Sequence, residues 1–211
     1  MTPLSPIAPT ATHASEGTRP RVEGDREQEI FDATLQVLEE VGYDRLTMDA
    51  VATRAKASKA TLYRRWNGKV SLVIDALHQG HHHPAVEAPV DTGNLRDDLI
   101  TAFCGHGGLT DKPEVAAFGA ILTAITRDAD FAEAFRREVL APKLAGTKAL
   151  FERAKERGEI PEEVDIELLA PALAGIVLHR FFLVGEPPTA DLVVNVIDQI
   201  ILPAAMAAGR P

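Results

Sequence analysis

Between Thr47 and Lys69 the chain spells two short helical segments, "TMDAVATRA" and "SKATLYRRW", joined by little more than "KAS". A three-residue connection makes two helices cross, and the hydroxyls of Thr47 and Ser58 are natural N-cap acceptors for the helices that follow them. Asp49 falls in the first turn of the earlier helix, where its charge complements the dipole, and Met48, Val51, Ala52 and Ala55 are its candidates for burial. In the second segment Leu62 and Trp66 stand four apart and share one face. Once both turn inward, Lys59, Ala60, Tyr63 and Arg64 are left facing outward or to the sides.

The charge distribution marks the same stretch. Seven basic residues lie between Arg45 and Lys69 (Arg45, Arg54, Lys56, Lys59, Arg64, Arg65 and Lys69) against the single acid Asp49, in a chain of 211 residues whose formal charge is −9. Net acidity by itself argues against a polyanionic partner, so a local excess of +6 calls for a local explanation.

The rest of the chain reads as helix after helix. Residues 1–24, rich in Pro, Ser, Thr, Ala and Gly, are expected to form a disordered arm in which Arg19 and Arg21 stand out. A first helix starts at Asp25, with Ile30, Thr34, Val37, Leu38 and Val41 at helical spacing and Gly42 as its stop. After the pair described above, a fourth helix begins at Lys69, with Val70, Val73, Ile74 and Leu77 on its apolar side. Further helices are predicted over residues 95–106, 113–127, 130–157, 166–184 and 191–207, with Pro142 expected to kink or divide the long one. Strand alternation and internal repeats are lacking, and the expectation is an all-α fold of about nine helices. Residues 25–69 would form a helix-turn-helix domain and residues 70–211 a larger helical domain.

Several classes of function find no support. Cys104 is the sole cysteine, so neither an internal disulfide nor a cysteine-based zinc site can form. The longest apolar run, Leu168 to Leu178, has eleven residues and contains Pro171, too few to span a bilayer; no membrane association, no secretory leader and a cytoplasmic location are expected. Nucleophile-elbow, zinc-hydrolase and phosphate-loop sequences are missing, so the chain is not expected to be an enzyme, and no cofactor is implied. His78, His81, His82 and His83 have the donor chemistry for a metal, but runs of histidine before Pro84 read more readily as a solvated connector, and no metal site is assigned.

The outward side of the second short helix suits a DNA major groove. Arginine offers a planar fork to guanine O6 and N7, tyrosine reaches a phosphate or a thymine methyl, and Ala60 permits close approach. At these residues the sequence resembles the TetR family of bacterial transcriptional regulators. The resemblance lies in "GYDRLTMDAVATRAKASKATLYRRWNGKVSLVIDAL": glycine then an aromatic, a threonine opening helix two, "TLY" in the recognition helix, an aromatic closing it and a lysine opening helix four. It implies that Thr47 and Lys69 hold the DNA backbone, that Ser58 caps the recognition helix, and that Thr61 and Tyr63 contact phosphates. Lys59, Ala60 and Arg64 would read bases, with Arg65 flanking the backbone.

The resemblance further implies a homodimer on a palindromic operator and a small-molecule effector bound by the C-terminal domain, most simply a hydrophobic effector that releases a repressor. Leu178, Phe182, Leu192, Val196 and Ile200, on the last two helices, are the candidate dimer residues. Phe103, Phe118, Leu122 and His179 are the candidate effector residues. A rival reading keeps the fold and drops the DNA: a helical interaction module whose basic island docks an acidic protein partner.

Overall fold

In the computed structural model, residues 23–79, 91–105, 108–110 and 112–207 are described. The expected arm lies outside them up to residue 22, as do His81, His82 and His83. Helix α1 spans Glu23–Arg45, α2 Met48–Arg54, α3 Lys59–Arg65, α4 Lys69–Gln79, α5 Leu95–Cys104 and α6 Lys112–Arg127. Then α7 (Ala129–Phe135) runs through a π turn at Arg136–Leu140 into α8 (Ala141–Glu156), and α9 (Ile166–His179) ends in a π turn at Arg180–Val184. Finally α10 (Ala190–Val196) passes through a π turn at Ile197–Ile201 into α11 (Leu202–Ala207). Counting each unbroken run once gives nine helices among the described residues, and the fold is all-α.

The boundaries follow from the caps. Thr47 accepts the Ala50 N–H at 3.2 Å, Ser58 that of Thr61 at 3.1 Å, Asn94 that of Asp97 at 2.9 Å and Asp128 that of Phe131 at 3.0 Å, each satisfying a donor that a helix start leaves unpaired. Helix α5 stops at Cys104, short of the expected His106, where Gly105 closes it. Near the end of α1, Gly42 adopts φ 75° and ψ 166°, a region essentially reserved for glycine, and there the chain turns towards α2.

Pro142 does not divide the long helix. Proline lacks the N–H for its own i−4 bond and its ring crowds that carbonyl, and the turn just upstream absorbs both effects by widening: the Ala141 N–H bonds Arg136 O, five residues back. The same device precedes Pro203, where the Leu202 N–H bonds Ile197 O.

Two apolar cores result. The first gathers side chains of α1 to α4 with Ile121 and Ala124 of α6, Phe131 and Phe135 of α7, and Val139. The second joins α5, α8, α9, α10 and α11. Residues 129–156 therefore run continuously from one core to the other. A polar staple closes the second: buried Asp98 accepts from Thr92 (2.6 and 2.8 Å) and from Arg157 (3.1 Å), while Glu159 accepts the Leu95 N–H at 2.7 Å. Burial works to raise the Asp98 pKa, yet these bonds outweigh it and hold the carboxyl below its usual range.

Two helices differ from the expectation drawn from apolar run length. Residues Ile166–Val184 and Ala190–Ala207 have mean hydropathies of 1.7 and 1.5, long and apolar enough by length and composition to cross a bilayer. An unbroken apolar run understates both helices, because Glu167, His179 and Arg180 bound the run in the first and Asn195, Asp198 and Gln199 cut the second. Each helix sets one face in the second core through Leu173, Val177, Val193 and Ile197, and leaves Leu168, Leu183, Val184, Ile200 and Met206 exposed.

Backbone strain at the α1 turn is separable from packing, because a Cβ on Gly42 would meet nothing within 4 Å. Gly42→Ala is expected to destabilise the protein by about 1–3 kcal/mol, read as a lower urea midpoint.

Candidate nucleic-acid interface

The candidate surface is built around a helix of only seven residues, too short to hold itself together in water. Its place is fixed from within. Leu62 is fully buried and Trp66 is 2% exposed, with its ring edge-on to Phe31 at 5.8 Å and its indole N–H donating to Asp75 at 2.8 Å. Trp66 itself has left the helix, with φ −120° and ψ 128°, although its N–H still bonds Leu62 O at 2.8 Å. The aromatic ends α3 and wedges it against α1 in one stroke.

With these anchors inside, Thr47, Ser58, Lys59, Ala60, Tyr63, Arg64 and Arg65 are exposed, while Thr61 and Lys69 are half-buried. Tyr63 is 56% exposed, and among the described residues neither it nor Arg64 makes a side-chain hydrogen bond or ion pair. Three other cations of the island are paired with carboxylates. Lys59 pairs with Asp49 of α2 at 2.5 Å, Arg65 with Glu27 of α1 at 2.6 Å, and Arg54 with Glu40 at 2.5 Å. Thus the basic island, nearly free of acid along the sequence, acquires carboxylates from α1 in space.

Lys69 has a different setting from the one expected of a free phosphate ligand. Its Nζ lies 4.1 Å from the centroid of the Tyr43 ring and donates to Tyr43 O at 3.2 Å. The Tyr43 hydroxyl donates to Asp128 at 2.8 Å, and its ring packs on Phe131 at 4.6 Å. The end of α1, the start of α4 and the α6–α7 junction meet here. Burial first, and then the Asp128 bond, push the Tyr43 phenol well above its ordinary range. The Phe131 N–H and the Tyr43 hydroxyl hold the Asp128 carboxyl low, with the Lys69 charge adding to the effect. Sequence reasoning missed this junction, though Asp128 standing before "ADF" is itself an N-cap signal.

The candidate effector residues do not converge on one enclosed lining. Phe103 is buried in the second core and Phe118 packs against the first, stacking on Phe182 at 5.8 Å. Leu122 and His179 face solvent, because both lie on the outer sides of their helices. Among the candidate dimer residues, Ile200 is 46% exposed and Leu178, Phe182 and Leu192 are half-buried. Val196 is 5% exposed and belongs to the chain's own second core, since α10 turns it towards α5 and α9. The described residues hold no group of three metal-ligating side chains, and Asp75, the carboxylate nearest the histidine run in sequence, is occupied by Trp66. Cys104 is half-buried, its thiol pushed up by burial.

Comparison with known proteins agrees with this geometry. Residues 30–76 match the family model described as bacterial regulatory proteins, tetR family, and residues 89–200 match one described as a tetracyclin repressor-like C-terminal domain. An uncharacterized HTH-type transcriptional regulator of Mycobacterium tuberculosis is 36% identical, over 90% of this chain and 93% of its own length. A protein of Mycobacteroides abscessus named as a DNA-binding transcriptional repressor is 34% identical, over 84% of this chain and 92% of its own. Among solved structures, a TetR family transcription regulator, 29% identical, superposes with a TM-score of 0.61, covering 83% of this chain and 98% of the other. A regulator from a Rhodococcus species gives 0.67 at 18% identity, with 86% and 99% covered, a likeness of fold.

The junction has a pH signature. Asp128 titrates below its unfolded value of about 3.9, so its stabilising contribution is present above that pH and is lost as pH falls through the lower, folded pKa. Asp128→Asn keeps a capping side chain and removes the charge. The urea midpoints of wild type and variant are expected to differ at pH 7 and to converge below pH ~4.

Proposed function

Since the chain belongs to the TetR family of bacterial transcriptional regulators and is a DNA-binding regulator, we propose that it acts as a homodimeric repressor of a palindromic operator, released by a small hydrophobic effector. The observation that carries the DNA part is the outward face of α3, where Tyr63 and Arg64 stand exposed, without a hydrogen-bond or ion-pair partner among the described residues, on a helix held from behind by Leu62 and Trp66. In this reading residues 25–69 form the reading unit and residues 70–211 assemble the dimer and receive the effector. Lys59, Ala60 and Arg64 read base edges. Thr47, Thr61, Tyr63 and Lys69 take phosphates, Ser58 caps the helix, and Arg65 flanks the backbone. The protein works on the chromosome, in the cytoplasm, by binding rather than by catalysis.

One short helix makes few base contacts, so tight, specific binding calls for two copies spaced by the DNA repeat. The exposed Leu183, Val184, Ile200 and Met206 supply an apolar surface on the last two helices suited to a second copy. Repression is favoured by the name of the Mycobacteroides abscessus relative. For the effector, Phe118 is the best-placed candidate, half-buried and stacked on Phe182. Release requires that the ligand bind more tightly to the state whose two α3 helices no longer match the operator.

Selection of random duplexes by the purified protein is expected to yield a palindrome; an unselective pool would favour the acidic-partner reading instead. Against the selected site, Arg64→Ala should cost about 1–3 kcal/mol and relax base preference at one position, whereas Lys69→Ala should weaken all sequences alike. Light scattering of Leu183→Glu combined with Ile200→Glu should show monomers that no longer retain the palindrome.

A further inference from the structure

The ion pairs around α3 sort its cations into two kinds. Among the described residues Arg64 carries no carboxylate, but Lys59 is held by Asp49 from the first turn of α2 at 2.5 Å, and Arg65 by Glu27 of α1 at 2.6 Å. Both acids come from other helices, and both sit beside the surface assigned to DNA. We propose that Asp49 and Glu27 are specificity-determining residues that suppress binding to DNA of arbitrary sequence, so that Lys59 contributes chiefly where a base edge gives it a directional partner and Arg65 chiefly where the docked recognition helix brings a phosphate into register with it. This rests on the assignment of α3 to the major groove.

Every duplex presents its phosphates alike. A free lysine or arginine meeting a phosphate releases a condensed counterion, and that release supplies most non-specific affinity. A cation already neutralised by a carboxylate releases little, and the carboxylate is itself repelled by the phosphate. At the cognate site the balance differs. Fixed acceptors on the base edges hold the Lys59 ammonium in a dehydrated groove, the docked helix sets a phosphate against Arg65, and an aspartate at the groove can accept from a cytosine amino group. The acids therefore lower affinity for random DNA more than for the operator. The chain's overall −9 charge works in the same direction at longer range.

The test measures binding of the full-length protein to the selected operator and to a random duplex over a series of salt concentrations. The variants are Asp49→Asn, Glu27→Gln, their combination, and Asp49→Asn with Lys59→Ala. Each single change should raise random-duplex affinity about two- to fivefold, the range of one exposed ion pair, and steepen the salt dependence by roughly one cation. The operator should gain less, so the ratio of operator to random affinity falls. In the Lys59→Ala background the Asp49→Asn gain should shrink to the part that relief of carboxylate–phosphate repulsion supplies. Equal gains on both duplexes, no gain on random DNA, or an Asp49→Asn gain undiminished by Lys59→Ala would overturn the proposal while Arg64→Ala still lowers operator affinity. If Arg64→Ala leaves operator affinity unchanged, the groove assignment itself fails and the proposal falls with it.

Discussion

Burial of Leu62 and Trp66 side by side is the contact on which the DNA-facing surface depends. A seven-residue helix has no stability of its own, so the direction in which its polar side chains point is set by the pair that points the other way. Trp66 does this more thoroughly than a smaller aromatic would. It fills space against Phe31, places its indole N–H on Asp75 of α4, and terminates α3 by adopting an extended backbone. Where the helix ends and how it is wedged against α1 and α4 are both decided at Trp66.

The second constraint is the way the two halves share an element. Residues 129–156 carry Phe131, Phe135 and Val139 in one core and Leu150, Phe151 and Ala154 in the other, and the π turn before Pro142 keeps that span continuous. At its head, Asp128 caps the helix and accepts from Tyr43, whose ring underlies Lys69 at the start of α4. A rearrangement in the C-terminal half thus has a short mechanical route to the residues beside α3, through side chains already in contact.

Much of the fold was legible because its signals are local. Caps at Thr47 and Ser58, the glycine at 42 and the spacing of Leu62 and Trp66 each act within a turn or two, and the family motif sits on those same residues. What could not be read is what folding brings from afar. Glu27 lies 38 residues from Arg65, and Asp128 lies 85 from Tyr43. Nothing in a local pattern ties either pair together, so the island looked more positive in sequence than it is in space. Helical periodicity also fails to say which apolar stripe is inward for good: Val196 and Ile200 share a stripe, yet one is core and the other is surface.

The composition of the first core bears on how the protein comes into being. Its apolar side chains include all of those behind α3, but the set is complete only with Val139. A nascent chain emerges at about 5–20 residues per second, so for several seconds the N-terminal helices leave the ribosome with part of their core still inside the translation machinery. The apolar bundle behind the DNA-facing helix is therefore packed to completion only after residues of the distant half have emerged.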